Sequence, residues 1–364
     1  MATQASLKRS HGLCASTTEE ENISKQPRSA SSSSSGLIKA SLPVRFLIMS
    51  DTHDRQNEIL PSTPQSDVLL HCGDLTEDGS PEAIARAIDA FLQVDAELKL
   101  FIAGNHEISL DKEYYLSEGG TEENHLKARS AISIPRIRFL EEGTHEFTLK
   151  SGAHFKIFVS PWTPKYGSSA FQYRSDEDRF NGANITPSWA RNVGKEDSVI
   201  PDGVDIVMTH GPPKYVLDKT ADGSSPGCEH LRRAIARVRP RLHCFGHVHK
   251  GYGAQRVRYD NKKKLAEEGD DRMDLLPQEW VGKNQAKRKG YASLPPSSAE
   301  AFRKNQEETL MVNAASMDDE NEPKNKPWLV ELSLPMDERA HDCNRSVHAP
   351  EASGYRSAKM NMQL

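Results

Sequence analysis

The chain has 364 residues, 36% of them apolar and 27% charged, with 47 Lys and Arg against 52 Asp and Glu. That length suits about two domains, or one large domain with extensions, and the polarity exceeds that of an ordinary core, so polar attachments to a normal core are expected. A formal net charge of -5 argues against a dedicated nucleic-acid surface, and the absence of any run of about 18 apolar residues argues against a membrane span.

Residues 1–40 read as a disordered arm, with Ser31 to Ser35 consecutive and no hydrophobic period. The opening MATQASLKRS has no apolar signal core, and Ala2 excludes N-myristoylation. Cys14, Cys72, Cys228, Cys244 and Cys343 form no CxxC pair, so neither a thiolate zinc site nor a disulfide scaffold is expected. A cytoplasmic protein is the expectation, with Lys287–Arg288–Lys289 as a nuclear signal or, more simply, a solvated charge run.

The folded domain is expected over 44–335. Val44 to Met49 is a short apolar run that suits a strand buried on both faces, and it ends in Ser50–Asp51–Thr52–His53. Asp67 to Cys72 is a second strand, closed by Gly73–Asp74. Pro81 to Leu92 reads as a helix, and Leu98 to Ala103 as a strand closed by Gly104–Asn105–His106–Glu107. Tyr114 to Ser130 has a helical pattern. Ile137 to Leu140, Thr144 to Lys150 and Phe155 to Ser160 read as strands, the last followed by the rigid Pro161–Trp162–Thr163–Pro164. Asp205 to Thr209 ends in His210–Gly211, Cys228 to Val238 is helical, and Leu242 to Phe245 ends in Gly246–His247–Val248–His249. Residues 261–308 are polar and too long for a common loop. They read as an insertion that buries little, so 270–305 is expected to be dispensable, and a protein partner could dock there. Thr309 to Ala315 and Trp328 to Leu334 resume the strand pattern, and 336–364 is a polar tail. The alternation implies an α/β core with helices covering sheets.

Five strand ends therefore carry Asp51, His53, Asp74, Asn105, His106, His210, His247 and His249. Open α/β sheets bind ligands beyond the carboxyl ends of their strands. Each residue alone has a plain structural reading as a turn or surface group. The ordered series points to one shared metal crevice. Carboxylates and imidazoles without thiolates suit Mn²⁺, Fe or Zn²⁺, and four histidines disfavour Mg²⁺.

The blocks D-x-H (51–53), GD (73–74), GNHE (104–107), a strand-end His210 and GH-x-H (246–249) resemble, in order, those of the calcineurin-type metallophosphoesterases. DTHDR, SPW-x-P, THGPP, RPRLHCFGH and VNAA are similar to the metallophosphoesterase-domain proteins first described from animal brain. The resemblance implies a four-layer α/β/β/α sandwich of two mixed sheets flanked by helices. It implies two divalent metals, one held by Asp51, His53, Asp74 and His249, the other by Asp74, Asn105, His210 and His247, with Asp74 bridging. His106 would donate a proton to the leaving oxygen. The implied reaction is hydrolysis of a small-molecule phosphoester, a diester in preference to a monoester, by a hydroxide bridging the metals.

Weaker assignments are Arg55 to a substrate phosphate oxygen, Trp162 to an aromatic leaving group, and Asp54 and Glu107 to orienting histidines. His71, His243, His125, His145 and His154 are taken as structural. Two alternative functions remain: a dimetal enzyme of specialised metabolism acting on a non-phosphate substrate, and a low-activity scaffold working through the insertion and the Ser-rich arm. A nuclease is disfavoured by the charge balance.

Overall fold

The computed structural model describes residues 41–260 and 272–337. The Ser-rich arm, residues 261–271 and the tail from 338 onward lie outside the described residues.

Two mixed sheets dominate. The five-stranded sheet runs, in spatial order, Trp328–Pro335, Ser41–Met49, Ser66–His71, Ala96–Phe101 and Arg138–Phe139. Its strands are parallel except for the antiparallel edge strand Trp328–Pro335. The seven-stranded sheet runs Met273–Gln278, Gly253–Tyr259, Thr309–Asn313, Leu242–Phe245, Ile206–Thr209, His154–Ser160 and Gly143–Thr148. Its four central strands are parallel, with antiparallel partners at both flanks.

Side-chain alternation explains the stacking. In Ser41–Met49, Val44, Phe46 and Ile48 face the other sheet, where Phe155, Ile157, Met208, Leu242 and Val312 meet them. Leu47 and Met49 point the opposite way, against Ile84, Ile88 and Phe91 of the helix Pro81–Leu92. On the far face of the seven-stranded sheet, Phe158, Val207 and Phe245 pack on Leu231, Ala234 and Ile235 of the helix Glu229–Val238. Strands buried on both faces carry nearly continuous apolar runs. The expected four-layer arrangement is what forms.

Caps set the helix limits. The Ser80 side chain accepts the Ala83 N–H ahead of Pro81, and Arg239 closes Glu229–Val238 in the left-handed region at φ 55°. The single helix expected over 114–130 is two, Lys112–Ser117 and Glu122–Ala131, because Gly119 (φ 87°) and Gly120 break the run. No helix among the described residues is long and apolar enough to cross a membrane.

The expectation that 270–305 buries little is corrected. Met273–Gln278 pairs with Gly253–Tyr259. Two helices follow, Lys283–Lys289 and Pro296–Lys304. Ala286, Ala292 and Phe302 are buried in the inter-sheet core. Arg241 donates to the carbonyls of Phe302, Asn305 and Glu308 and lies 4.0 Å from the centre of the Phe302 ring. One buried side chain per helix is enough to dock a segment whose remaining residues stay charged.

The carboxyl ends of both sets of parallel strands meet at one edge of the sandwich. Ser50, past the first strand, donates to the Ala314 carbonyl of the second sheet (3.0 Å) and accepts from the Ser316 N–H (2.8 Å). This seam brings the chemistry-bearing loops together.

Candidate metal centre

Asp51 and His53 follow Ser41–Met49, Asp74 follows Ser66–His71, and Asn105 and His106 follow Ala96–Phe101. His210 follows Ile206–Thr209, and His247 and His249 follow Leu242–Phe245. The loops are laced to one another by main chain. Asp51 and Thr52 donate their N–H groups to the carbonyls of Gly73 and Asp74, each at 2.9 Å. Four of the predicted ligands adopt left-handed backbone: Asp51 (φ 51°), His53 (41°), Asp74 (53°) and His247 (66°). Non-glycine residues occupy that region at a cost and persist where surrounding structure dictates it. Gly73 (φ 102°) has no room for a side chain, since a Cβ there would stand 2.7 Å from His210 Nδ1. A Cβ at Gly246 would collide with Asp51 Oδ2.

The side chains form adjoining clusters. Ligand atoms of Asp51, His53 and His249 lie within 4.8 Å of one another, as do those of Asp74, His210 and His247. His53 Nε2 is 3.9 Å from Asp74 Oδ2, so Asp74 stands between the two groups. Asp51, Asp74 and His210 are buried, at 0%, 2% and 0% exposure. Both carboxylates are oriented by backbone: the His247 N–H reaches both oxygens of Asp51 at 3.0 Å, and the His106 N–H donates to Asp74 Oδ1 at 2.9 Å. Asn105 Nδ2 donates to Ser169 Oγ (3.2 Å), which turns Oδ1 toward His210 Nε2 at 2.9 Å.

Electrostatics follow from this crowding. Burial alone would lower His210, but Asp74, 3.2 Å from its Nε2, outweighs it and holds the imidazole at about 9. Burial opposes ionisation of Asp74, yet His210, His53 and His106 keep it well below the usual carboxylate range. Asp51 is lowered against its own burial by His249 and His210. His247 falls to about 4, by burial and then by repulsion from His210.

A cation fits this donor set. With Nδ1 of His210 donating to the Cys72 carbonyl (2.9 Å), its Nε2 faces Asn105 Oδ1 and Asp74 Oδ2. Three electron-rich atoms converging need a proton or a metal between them. Both ring nitrogens of His53 are buried without a hydrogen bond, although Glu77 Oε2 stands 3.0 Å from Nδ1.

A cavity of about 380 Å³ opens on these groups. Of the weaker sequence assignments, Arg55 does line it, but its guanidinium is engaged by Glu58 and stands 3.7 Å from Glu322. Trp162 does not. It lies half-buried, edge-on to Phe171 and 4.4 Å beneath the Arg179 guanidinium, in the wall of a separate cavity. Glu107 and Asp54 orient main chain rather than histidines. Glu107 accepts the N–H groups of Asp74 (2.9 Å), Thr76 (2.9 Å) and Gly104 (2.7 Å) and the Thr76 hydroxyl (3.0 Å), while Asp54 accepts the Glu77 N–H. Burial and the neighbouring Asp74 push Glu107 up to about 7. His71 and His243 are buried, each near 3 through desolvation, and their Nε2 atoms pair with Thr52 and Thr209.

Sequence reasoning missed Glu77, Tyr166, Met317 and Asn321, which also line the cavity. Glu77 sits three residues beyond Asp74 in the same loop, the one positional hint available. It closes a third ligand cluster with His53 and His106, and its carbonyl lies 2.6 Å from His106 Nδ1.

The chain is 38% identical over 220 residues to a probable rhamnogalacturonate lyase C of Emericella nidulans, covering 60% of this chain but only 18% of that protein. It is 34% identical over 223 residues to human metallophosphoesterase domain-containing protein 1, covering 57% of this chain and 61% of that one. It is 32% identical to a UPF0046 protein of Caenorhabditis elegans, covering 58% of this chain and 70% of the other. The chain thus spans less than two thirds of the first two relatives. Among solved structures, TT1561 of Thermus thermophilus aligns over 59% of this chain and 84% of its own at 10% identity, with a TM-score of 0.36. The family model described as calcineurin-like phosphoesterase matches residues 44–251, more than half of the chain and a span that contains every predicted metal ligand. The chain therefore belongs to the calcineurin-like phosphoesterase family.

Proposed function

We propose that the chain hydrolyses phosphoesters at two divalent transition metals, with diesters preferred over monoesters. The observation that carries this is the pair of adjoining Asp/His clusters with Asp74 between them. Asp51, His53, Asp74 and His249 would hold one ion, and Asp74, Asn105, His210 and His247 the other. Two such cations supply an activated water and absorb negative charge on the phosphoryl group. Nitrogen and oxygen donors without a thiolate suit Mn²⁺, Fe or Zn²⁺.

The chain's own groups do the rest. Glu107 and the His247 N–H hold the Asp74 and Asp51 loops in their left-handed turns, so the carboxylates are aimed before any ligand arrives. His106 lines the cavity with Nδ1 against the Glu77 carbonyl, which fixes the ring and leaves Nε2 to carry a proton to the departing oxygen. Because Arg55 is engaged by Glu58, the cavity offers no free guanidinium among the described residues for the extra charge of a monoester. That supports a diester.

The test is turnover of matched mono- and diesters by apo-protein reloaded with Mn²⁺, Fe²⁺, Zn²⁺ or Mg²⁺, with elemental analysis of the same samples. The expected result is two metals per wild-type chain, fewer in Asp74→Asn, and faster diester hydrolysis. A saturating content of one metal, or no ester hydrolysed with any of them, overturns the proposal.

A further inference from the structure

We propose that three exposed aromatic rings, Tyr166, Tyr215 and Trp189, form a track leading away from the metal cavity that accepts an elongated, uncharged leaving group with flat-faced rings. The proposal rests on the hydrolytic reading above and narrows its substrate class.

Connectivity is the first observation. The metal cavity shares Tyr166, His247 and His249 with a second cavity of about 700 Å³. That cavity shares Pro164, Ser175, Pro226 and Gly227 with a third of about 650 Å³, walled by Trp189 and Tyr215. Exposure is the second. Tyr166 is 80% exposed, Tyr215 56% and Trp189 44%, and these three account for half of the large apolar side chains exposed among the described residues. Exposed rings gathered along one path beside a candidate active site mark a binding surface rather than scattered surface apolarity.

The segments that carry the rings are also anchored. The Tyr166 carbonyl accepts from Gln172 Nε2 (2.8 Å), and Ser169 in the same loop is tied to Asn105. Tyr215 adopts φ 65° with its N–H on Asp218, and Lys214 Nζ stands 5.3 Å from its ring centre. Trp189 stacks on the buried His230 ring at 5.0 Å and 30°. A left-handed tyrosine with an exposed ring is a strained arrangement of the kind found at ligand sites.

Charge decides what the track excludes. Each carboxylate in these walls is already partnered: Asp222 by Thr220 and Ser224, Glu229 by Arg233, Asp318 by Lys324, and Asp319 by Lys250. Lys165 is the wall cation with no ion pair among the described residues. A polyanionic strand would need a row of free cations. Uncharged rings need only flat partners, and both a sugar face and a heteroaromatic base supply them.

The experiment uses the full chain loaded with Mn²⁺ and methyl phosphodiesters differing in the second ester: ethyl, the primary hydroxyl of a methyl hexoside, that of a disaccharide, and that of a nucleoside. Wild type should favour ring-bearing esters over ethyl. Tyr166→Ala should lower the kcat/KM ratio of one-ring ester to ethyl ester by about 5- to 150-fold. Tyr215→Ala and Trp189→Ala should lower it most for the disaccharide ester. Which one-ring ester is favoured separates the sugar from the nucleoside. Binding of the free methyl hexoside, disaccharide and nucleoside, measured by calorimetry, reads the track without turnover. Ratios unchanged in all three variants, or variants binding the free alcohols as tightly as wild type, overturn the track and leave the hydrolytic reading standing. Ring-dependent binding without hydrolysis of any ester keeps the track and removes the hydrolytic reading.

Discussion

Phe302→Ala tests whether the helix Pro296–Lys304 belongs to the core that holds the metal loops. The ring is 3% exposed within the inter-sheet cluster. Deleting a buried phenylalanine side chain costs about 3–5 kcal/mol, from lost transfer energy and the cavity left behind. The Arg241 guanidinium, 4.0 Å from the ring centre, loses a partly desolvated cation–π partner, a further ~0.5–2 kcal/mol. The sum, about 3.5–7 kcal/mol, is a large share of the roughly 5–15 kcal/mol that holds a domain folded. Urea denaturation followed by circular dichroism should therefore show a much lower midpoint with little change in slope. A loss below about 1 kcal/mol, well under the range for such a deletion, would mean that the helix does not dock and that 270–305 is as dispensable as its composition suggests.

His106→Asn should retain both metals yet lose roughly 10²–10⁴ in kcat on alkyl esters, with a smaller loss on nitrophenyl esters, whose leaving group needs little protonation. Equal losses on both would remove the proton-donor role, and loss of a metal would move His106 into the ligand set with His53 and Glu77. Metal affinity should rise with pH, because His210, held at about 9 by Asp74, must release its proton to a cation. One such proton makes about a tenfold change in affinity per pH unit below that value, and calorimetry in buffers of different ionisation enthalpy should detect its release. The same raised value stabilises the apo-protein fully below the ordinary histidine value of 6.5 and is lost as pH rises through about 9, so the apo-protein should melt progressively lower across that window.

The ligand loops were legible because each follows a strand buried on both faces. An apolar run such as Phe46–Leu47–Ile48–Met49 ending in Asp-x-His leaves little choice of structure, and small glycines beside it mark where the chain must pack close. The covering helix Pro81–Leu92 announced itself through its apolar stripe. Elements outside the central parallel strands were hidden for the opposite reason. Gly253–Tyr259 carries Arg256 and Arg258, and Lys283–Lys289 buries only Ala286, so their composition resembles solvated chain. Trp162 misled because a rigid proline-flanked loop suggests a presented ring. The ring instead lies beneath Arg179, and Tyr166, four residues later, reaches the cavity. Such a choice depends on loop path, which no residue pattern encodes.

The seam at Ser50 also bears on the order in which the molecule is made. Ser41–Met49, which leads directly into Asp51 and His53, pairs along its outer edge with Trp328–Pro335, and Ser50 is locked by Ala314 and Ser316. On the ribosome, the first strand among the described residues must wait for the last of them. Until residue 335 has emerged, its edge is an unpaired row of amides and carbonyls open to foreign strands. The loop bearing Asp51 and His53 then lacks its anchor at Ser50. Early capture of metal by the nascent chain is thereby disfavoured, and a chain halted before residue 328 would be both metal-poor and prone to aggregate.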